Sequence, residues 1–509
     1  MWTLADCVRL NARRHPARDA LVDDTSRLTH RELSARAEGI ARGLRASGIK
    51  RGDHVGILAG NSVFCGEAFL GVIAAGAVAV MYNWRWATAE LARGIAATGA
   101  RTVLVESRFE DALDAAQATG DLDPSLSVVR QGPEFESLAA TPGQAVDPGV
   151  GPDDPMCVLF TGGTTGSSKG VVLAHRSGIA NSLNERLDVG IASAAENVGL
   201  NVTPMFHSAA LLCVFAPHYM SGGTNVMLHR FDEQQIGDLV ERERITTSFM
   251  IPNMLRRLLQ AGTFETAGFQ QHLRQLHSGG GLLRMPDKQA VRELTPQVRM
   301  YFRYGLTEAG PMVTRLLDRD IMRPELDGSI GQEYSMAEAR VVDVVTGEPV
   351  EHGVLGEIVV RGPAVMLGYY DNAEATAAAL RDGWLHTGDL VTQDEQGYFY
   401  FRDRAKDLIK SGGENVYASE IEQVLYSHPA VMECGVLGVA STEWDEEVRA
   451  VVALRPGRST TEHELRDHLR RSLAGYKVPK RFVFLEPGAM PVNPSGKIVK
   501  SNLRRLVGW

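Results

Sequence analysis

The stretch Phe160-Thr161-Gly162-Gly163-Thr164-Thr165-Gly166-Ser167-Ser168-Lys169-Gly170 decides how the rest of the chain is interpreted. An apolar run, Met156 to Phe160, leads into it, and Val171 to Leu173 after it is typical of a strand. Small residues let backbone N–H groups approach an anion closely, and the lysine adds one positive charge. The stretch therefore predicts a phosphate-binding loop, although its residues alone also fit a flexible hairpin turn.

This loop differs from the Walker A loop of P-loop enzymes. A Walker A loop ends in Gly-Lys-Ser/Thr and opens a helix. Here Lys169 lies between Ser168 and Gly170, and the residues that follow predict a strand. The pattern disfavours a P-loop kinase or GTPase.

Composition limits the classes of protein to which the chain can belong. A chain of 509 residues is too long for one hydrophobic core, and 53 Lys and Arg against 62 Asp and Glu give a net charge of −9. This charge argues against nucleic acid or an anionic membrane as the main partner. The five scattered cysteines suggest neither a disulfide framework nor a zinc site and fit a reducing cytoplasm.

The N-terminal segment predicts a helix and not a leader peptide. It lacks a basic start and a long apolar core, and its pattern is typical of an amphipathic helix. The most apolar run, 68–82, is interrupted by Gly71 and Gly76 and is too short to span a membrane. We expect a buried helix that turns into a strand, and no integral membrane segment.

Helical and extended patterns alternate along the first 150 residues. Amphipathic segments at 31–44 and 87–97 alternate with β-rich runs at 54–58 and 102–105, which favours α/β layers with largely parallel strands. The segment 142–155, rich in Pro, Gly and Asp, predicts a linker into the loop. A helix at 231–244, a strand at 245–251 and a strand at 299–302 follow, and 326–401 is β-rich.

Four later motifs complete a pattern with the glycine-rich loop, in the order Tyr304-Gly305-Leu306-Thr307-Glu308, Thr387-Gly388-Asp389, Asp403-Arg404-Ala405-Lys406-Asp407 and Pro494-Ser495-Gly496-Lys497. With these five motifs, in this order and spacing, the chain resembles the adenylate-forming superfamily, in particular its acyl-CoA synthetase and fatty-acid–CoA ligase branch. The match runs from about residue 155 to the C-terminus, and weaker similarity extends to the N-terminus.

The resemblance implies an α/β fold in two parts. A large N-terminal domain, residues 1–403, would hold layered α/β subdomains and a small β-barrel-like subdomain, with the acid and ATP site. A small, mobile α+β domain, residues 404–509, would carry the catalytic lysine. Lys406 lies beside the family's hinge position.

The resemblance also assigns roles to individual residues. Lys497, Glu308, His207 and Thr307 are implied as catalytic, with Mg²⁺ held by Glu308 and Thr164. The nucleotide and the pantetheine of CoA are implied to contact Thr161, Gly162, Gly163, Thr164, Thr165, Gly166, Lys169, Gly279, Gly280, Gly281, Tyr304, Thr307, Asp389, Arg404, Gly412 and Gly413. Residue types agree, since an aromatic ring suits a purine and a carboxylate suits Mg²⁺.

Taken alone, several of these residues have ordinary structural explanations. A single histidine in an apolar neighbourhood such as His207 is more often a core residue than a working one. Gly279 to Gly281 also fit a strand-to-helix turn, and Asp389 and Arg404 fit a surface ion pair. Some long-chain relatives carry tryptophan four residues after the histidine, where this chain has Leu211, which argues against that form of gating.

The predicted function is ATP-dependent activation of a carboxylic acid to acyl-AMP, followed by transfer to coenzyme A. The implied cofactors are ATP, Mg²⁺ and CoA. The segments 205–212 and 231–255 resemble those of fatty-acyl-CoA ligases, which implies a hydrophobic acid of medium or long chain. A carrier-protein thiol or a partner enzyme as the acceptor is an alternative, luciferase-like oxygenation is another, and a non-catalytic nucleotide-binding protein is a third. Nucleic acid is not an expected partner, and the cytoplasm is the expected location.

Overall fold

The computed structural model describes residues 3–161, 168–190, 196–411, 414–441, 444–492 and 498–509, with the backbone alone at 406, 414 and 415. The chain divides into two compact units, residues 1–339 with 360–385, and residues 340–359 with 386–509. This division differs from the predicted boundary between residues 403 and 404. The predicted boundary marks the start of a mobile C-terminal domain and stays a prediction.

The first 190 residues hold seven of the helices that the structure describes and eight of its strands. The strands are β1 (Asp19–Val22), β2 (Arg27–Thr29), β3 (His54–Leu58), β4 (Val78–Met81), β5 (Thr102–Val105), β6 (Ser127–Arg130), β7 (Pro155–Thr161) and β8 (Lys169–Ala174). The helices are α1 (Leu4–Arg14), α2 (His30–Ala46), α3 (Val63–Ala74), α4 (Thr88–Thr98), α5 (Glu110–Ala118), α6 (Pro133–Ala139) and α7 (His175–Asn184).

The middle of the chain continues the alternation and then becomes β-rich. Its strands are β9 (Val198–Asn201), β10 (Thr224–Met227), β11 (Thr247–Phe249), β12 (Gln275–Gly279), β13 (Arg299–Gly305), β14 (Met312–Leu316), β15 (Ser329–Glu333), β16 (Glu338–Val342), β17 (Gly356–Arg361), β18 (Gly368–Tyr369) and β19 (Leu380–Arg381). Its helices are α8 (Ser208–Ala210), α9 (Ala216–Met220), α10 (Glu233–Arg242), α11 (Pro252–Gln260), α12 (Ala267–Gln271), α13 (Met285–Leu294) and α14 (Ala373–Ala379).

The remaining elements complete the smaller unit. The strands are β20 (Trp384–Gln393), β21 (Phe399–Arg404), β22 (Ile409–Ser411), β23 (Glu414–Val416), β24 (Val431–Ser441), β25 (Asp445–Leu454) and β26 (Arg481–Leu485). The helices are α15 (Ala418–Ser427), α16 (Glu462–Arg470) and α17 (Lys500–Leu506).

Two sheets form the framework of the larger unit. One has the order β2-β1-β10-β9-β11-β12-β13-β14-β15, with β1, β9, β10, β11, β12 and β13 parallel. The other has the order β18-β8-β7-β4-β3-β5-β6, with β8 antiparallel to β7. Parallel strands joined by helices need both faces of a sheet covered, which explains their continuous apolar runs.

The predicted elements are found close to the predicted positions. Residues 54–58 and 102–105 are β3 and β5, and the apolar run 68–82 contains the end of the buried helix α3 and then β4. The break falls at Gly76, whose φ of +73° favours glycine. The strand predicted at 245–251 is shorter, since β11 covers only Thr247–Phe249, and α11 begins at the predicted stop, Pro252.

The smaller unit has its own core between helices and an antiparallel sheet. The sheet order is β23-β22-β25-β24, and β26 pairs with β25 in parallel. The core includes the fully buried side chains of Ile421, Leu425 and Leu465 from the helices and of Val436 and Ala450 from the sheet. Among the described residues of either unit, no helix is long and apolar enough to cross a bilayer.

Candidate functional site

Of the predicted site residues of the larger unit that the structure describes, most lie at one edge of its first sheet. Strands β9 to β13 are parallel, so their carboxyl ends share an edge, and open α/β sheets bind ligands at that edge. His207 follows β9, Gly279 ends β12, and Thr307 and Glu308 follow β13. The fold therefore gathers residues that are far apart in sequence.

The turn that carries Glu308 is tightly held by its own backbone. Thr307–Ala309 forms a short 3₁₀ helix, and the Leu306 N–H donates to the carbonyl of Pro311 over 3.1 Å. A Cβ on Gly305 would overlap with the same carbonyl oxygen, so only glycine fits. This close packing fixes the direction in which the Glu308 carboxylate leaves the backbone.

A hydroxyl pair joins the loops that follow β9 and β13. The Oγ of Ser208 lies 3.0 Å from the Oγ1 of Thr307, and either hydroxyl can donate. Because one hydroxyl hydrogen stays available, the pair can offer one further hydrogen bond to an anion. Sequence reasoning selected Thr307 and missed Ser208.

Tyr369 lies between two of the predicted charged residues. Its hydroxyl donates to Oε1 of Glu308 over 3.0 Å, and the ammonium of Lys169 lies 4.9 Å from the centroid of its ring. Burial and the Glu308 charge raise the pKa of the Tyr369 phenol, which therefore stays protonated. Lys169 begins β8 of the second sheet and Glu308 follows β13 of the first, so Tyr369 connects the two sheets at the site.

His207 presents a neutral imidazole beside this pair of loops. Burial, with a smaller effect from Arg85, lowers the pKa of His207 to about 4. Its ring centroid is 4.5 Å from that of Phe206, and its Nε2 is buried with no hydrogen-bond partner among the described residues. The unpartnered Nε2 is therefore able to take part in one hydrogen bond with a ligand.

Glycines at the end of β12 leave its backbone uncovered. A Cβ on Gly279 would clash with the carbonyl oxygen of Arg303 on β13, so the two strands approach closely there. Gly280 has a φ of +74°, and both Gly280 and Gly281 are exposed. Because glycine has no side chain, the exposed backbone at these positions is open to a planar ring.

A buried ion pair lies beneath Tyr304. Tyr304 is half-buried on β13, and its neighbour Arg303 points to the opposite face, where its Nη2 lies 2.5 Å from Oε2 of Glu185 and also contacts Nδ1 of His277. Arg303 and Glu185 are 5% and 1% exposed. Burial raises the pKa of Glu185 to about 7, although the Arg303 charge lowers it.

In the smaller unit, Asp389 and Arg404 face each other across a strand pair. They are cross-strand partners in β20 and β21, and the Arg404 Nε lies 3.2 Å from the Asp389 Oδ1. The Asp389 carboxylate is 5% exposed and the Arg404 side chain 37%, so the acidic partner alone is buried. The structure thus brings these two predicted residues together.

Several predicted residues lie outside the described residues. They are Gly162, Gly163, Thr164, Thr165 and Gly166 of the glycine-rich loop, Gly412 and Gly413, and Lys497. Thr161 and Lys169 flank the loop and are register partners of the β7–β8 pair. Their pairing brings the two ends of the predicted phosphate-binding loop together.

The donor set of the larger unit fits a magnesium ion bound together with a nucleotide. Glu308, Thr307 and Ser208 supply hard oxygen atoms, which Mg²⁺ prefers. Among the described residues, no group of three or more His, Cys, Asp or Glu residues could hold a metal ion. In nucleotide sites Mg²⁺ is usually bound by one or two carboxylates together with phosphates and water.

Comparisons with known proteins agree with this geometry. The AMP-binding enzyme family matches residues 8–370, and the AMP-binding enzyme C-terminal domain matches residues 420–497. A feruloyl-CoA synthase of Amycolatopsis sp. is 39% identical, over 98% of this chain and 97% of its own length. The fatty acid–[acyl-carrier-protein] ligase ScoC of Streptomyces coeruleorubidus is 33% identical, over 99% and 96%.

A solved structure agrees as well. O-succinylbenzoate coenzyme A synthetase (MenE) from Bacillus subtilis, in complex with ATP and magnesium ion, superimposes with a TM-score of 0.86. The two proteins are 28% identical, and the match covers 98% of this chain and 99% of that one. The similarity thus extends over both compact units of the chain.

Proposed function

The chain belongs to the AMP-binding enzyme family, and we propose that the loops after β9, β12 and β13 hold its nucleotide and its acid. The enzyme is an AMP-forming acid–thiol ligase, which uses ATP, Mg²⁺ and CoA. It converts a carboxylic acid to acyl-AMP and pyrophosphate and then forms acyl-CoA and AMP. The observation that carries the site assignment is the convergence of Lys169 and Glu308 on Tyr369.

The first half-reaction needs positive charge where two anions meet. A carboxylate oxygen attacks the α-phosphorus, and the bond to pyrophosphate breaks. Bringing the anions together costs about 1 kcal/mol per charge pair in water and several times more in a less polar site. Lys169 is suited to the outer phosphates, and Glu308 would hold Mg²⁺, which would neutralise charge on the phosphate oxygens.

The remaining groups orient the nucleotide. The Thr307 hydroxyl, positioned by Ser208, would donate to the α-phosphate. Tyr304 and the exposed backbone of Gly280 and Gly281 would hold the purine between an aromatic ring and a flat surface. For the ribose hydroxyls we propose the Asp389–Arg404 pair, on the resemblance of its motif and on the burial of its carboxylate.

The second half-reaction needs a thiol to reach the acyl carbonyl. A thiolate is the nucleophile, and it attacks the carbonyl carbon as AMP leaves. The neutral His207, with an unpartnered Nε2, is suited to line this approach and to accept a hydrogen bond from the thiol. Lys497, on the predicted mobile domain 404–509, would serve the first step and be replaced by the Gly412–Gly413 loop for the second.

We propose an aryl-substituted acid as the preferred substrate. The feruloyl-CoA synthase is 39% identical to this chain, whereas the fatty acid ligase ScoC is 33% identical. Leu211, Leu212 and Phe215, which follow His207, are fully buried. The higher identity to the feruloyl-CoA synthase favours an aryl acid such as ferulate over the acid of medium or long chain that the sequence predicts.

A carrier-protein thiol is the second candidate for the acceptor. ScoC, which is 33% identical over almost its whole length, acts on an acyl-carrier protein. The reaction at the carbonyl is the same with either thiol, since both present a phosphopantetheine arm. The identity of the acceptor therefore needs its own measurement.

We also propose that the enzyme works in the cytoplasm. All five cysteines are buried and free, as in a protein of a reducing compartment. Burial raises the pKa of the Cys213 thiol to about 12, and it raises the pKa of the other four thiols as well. Since the thiolate is the reactive form, all five thiols are protected from exchange.

Pyrophosphate release across a panel of acids tests this function. Ferulate, cinnamate, octanoate and palmitate would each be supplied with MgATP, with CoA, with a holo carrier protein or with neither thiol. We expect release with ferulate and thioester formation with CoA. Palmitate as the best acid would refute the aryl preference, and thioester on the carrier alone would select the second candidate. Absence of release with every acid would contradict the site assignment.

A further inference from the structure

Tyr369 contacts both charged groups of the proposed phosphate site and is not one of the residues to which the resemblance assigns a role. Its hydroxyl donates to Oε1 of Glu308 over 3.0 Å, and its ring faces the Lys169 ammonium at 4.9 Å. Within the part of the chain that the structure describes, no ion pair joins Lys169 to Glu308. The tyrosine gives each charge an uncharged partner, the ring for Lys169 and the hydroxyl for Glu308.

The backbone around Tyr369 is fixed on both sides. The Tyr369 N–H donates to Oγ1 of Thr376 over 2.9 Å, and a Cβ on Gly368 would lie 2.8 Å from the same threonine side chain. The Tyr370 N–H donates to the carbonyl of Gly170 over 2.7 Å, next to Lys169. The Tyr369 ring therefore has a defined position relative to β8.

The same segment also holds Glu308 through its backbone. The Met366 N–H donates to the Glu308 carbonyl oxygen over 2.9 Å, so the segment contacts Glu308 through both main chain and side chain. With the carbonyl held and Oε1 accepting from Tyr369, the second carboxylate oxygen, Oε2, is the one left to face a cation. A carboxylate held by two groups loses less conformational freedom when it binds a metal ion.

We propose that Tyr369 is a positioning residue for acid activation, with its hydroxyl orienting Glu308 for Mg²⁺ and its ring orienting Lys169 for the nucleotide phosphates. This inference rests on the proposed function, since it needs Glu308 on the magnesium side and Lys169 on the phosphate side. It assigns separate tasks to the two parts of one side chain. These tasks can be separated by substitution.

Two variants divide the tasks. Tyr369→Phe keeps the ring over Lys169 but loses the hydroxyl, whereas Tyr369→Leu loses both. Tyr370→Phe is the matched control, because Tyr370 is the next residue, stacks edge-on against His54 and has its hydroxyl on the side of Gly99. Thermal unfolding of each variant would first establish that it is folded.

Equilibrium binding of ATP, without acid or CoA, provides a readout that does not depend on turnover. Calorimetric titrations would be run with Mg²⁺ and with EDTA. For Tyr369→Phe we expect the Kd for MgATP to rise about 10-fold, which is about 1.4 kcal/mol, while the Kd for ATP in EDTA changes less than about 3-fold. For Tyr369→Leu we expect both constants to rise, and for Tyr370→Phe neither.

The wild type and Glu308→Gln separate failure of this inference from failure of the proposed function. If wild-type binding of ATP does not respond to Mg²⁺, or if Glu308→Gln binds MgATP like the wild type, the magnesium role of Glu308 is wrong. If both controls behave as expected and Tyr369→Phe binds MgATP like the wild type, the role of Tyr369 alone is wrong. An equal rise of the Kd for MgATP and the Kd for ATP in EDTA in Tyr369→Phe would also overturn the proposed role of the Tyr369 hydroxyl, even if Tyr369→Leu failed to fold.

Discussion

Replacing Arg303 by methionine is expected to destabilise the larger unit and to weaken ATP binding. Arg303 is the cation that faces Glu185, and both side chains are buried. Methionine has a similar length and no charge, so the variant leaves Glu185 with Tyr334 as its remaining hydrogen-bond partner, at 3.4 Å, among the described residues. A buried carboxylate without its cation takes up a proton or costs the fold free energy.

The structure sets the size of this effect. Removing one partner of a buried ion pair costs about 3–5 kcal/mol. The larger unit has roughly 365 residues, and an unfolding entropy of about 2.1 cal/mol/K per residue then converts the loss to a decrease in Tm of about 4–6 °C. Because Arg303 precedes Tyr304 and contacts His277 on β12, we also expect a rise in the Kd for ATP of about 3- to 10-fold.

Thermal unfolding and ATP titration would measure both effects. The double variant Arg303→Met/Glu185→Gln removes the carboxylate as well and should recover most of the lost Tm, because no buried charge remains at this position. Arg299→Met, at the exposed start of the same strand, is the matched control and should stay within about 0.5 kcal/mol of the wild type. A loss below about 1 kcal/mol for Arg303→Met, or a double variant no more stable than Arg303→Met, would refute the reasoning.

Three further predictions concern the proposed roles and the smaller unit. Lys497→Ala should block acyl-AMP formation but spare thioester formation from supplied acyl-AMP, because the lysine is needed only where phosphate and carboxylate meet; rapid-quench assays of each step would measure this, and equal loss of both would contradict the role. Burial raises the pKa of Asp403 to about 6, although the Lys500 charge lowers it. The protonated carboxyl therefore stabilises the fold below about pH 4, and the protein loses up to about 3 kcal/mol of this stability as the pH rises to 6. Asp403→Asn should therefore flatten the Tm profile between pH 4 and 6, and parallel profiles for variant and wild type would count against it. Since burial lowers the pKa of His207 to about 4, His207→Ala should reduce the rate of the thioester step without shifting its pH dependence between pH 6 and 8, and a shifted profile would show that the imidazole titrates there.

The elements that periodicity predicts are those whose local and tertiary preferences agree. Strands β3 and β5 have the predicted bounds, because each is a short run of β-branched and apolar residues that the sheet buries on both faces. The helix predicted at 231–244 is α10, Glu233–Arg242, since the Asp232 side chain accepts from the Gln235 N–H and caps its start. Local chemistry thus fixes the bounds where a cap or a turn residue is present.

Motif matching predicted the site residues but not the contacts that hold them. Thr307 and Glu308 were identifiable from their motif, and Asp389 and Arg404 from two motifs that β20 and β21 then bring into register. Ser208 carries no such signal, because its partner Thr307 becomes a neighbour only when β9 and β13 lie in one parallel sheet. A single sequence without strand order cannot supply that pairing.

The sequence gives a signal for the role of Arg303 but none for the role of Tyr369. Arg303 ends the apolar run Met300-Tyr301-Phe302, and a charge in a buried strand requires a buried partner, so its presence already implies a countercharge elsewhere in the chain. Tyr369 does not imply any particular partner in the same way, since a tyrosine after glycine is compatible with any exposed strand end. Its position between Lys169 and Glu308 depends on the arrangement of the two sheets. Strand β18, which carries Tyr369, pairs with β8 at the edge of one sheet, and Glu308 follows β13 of the other sheet. The charge that sequence reasoning places on one nucleotide is therefore brought together by an uncharged residue that lies on neither motif.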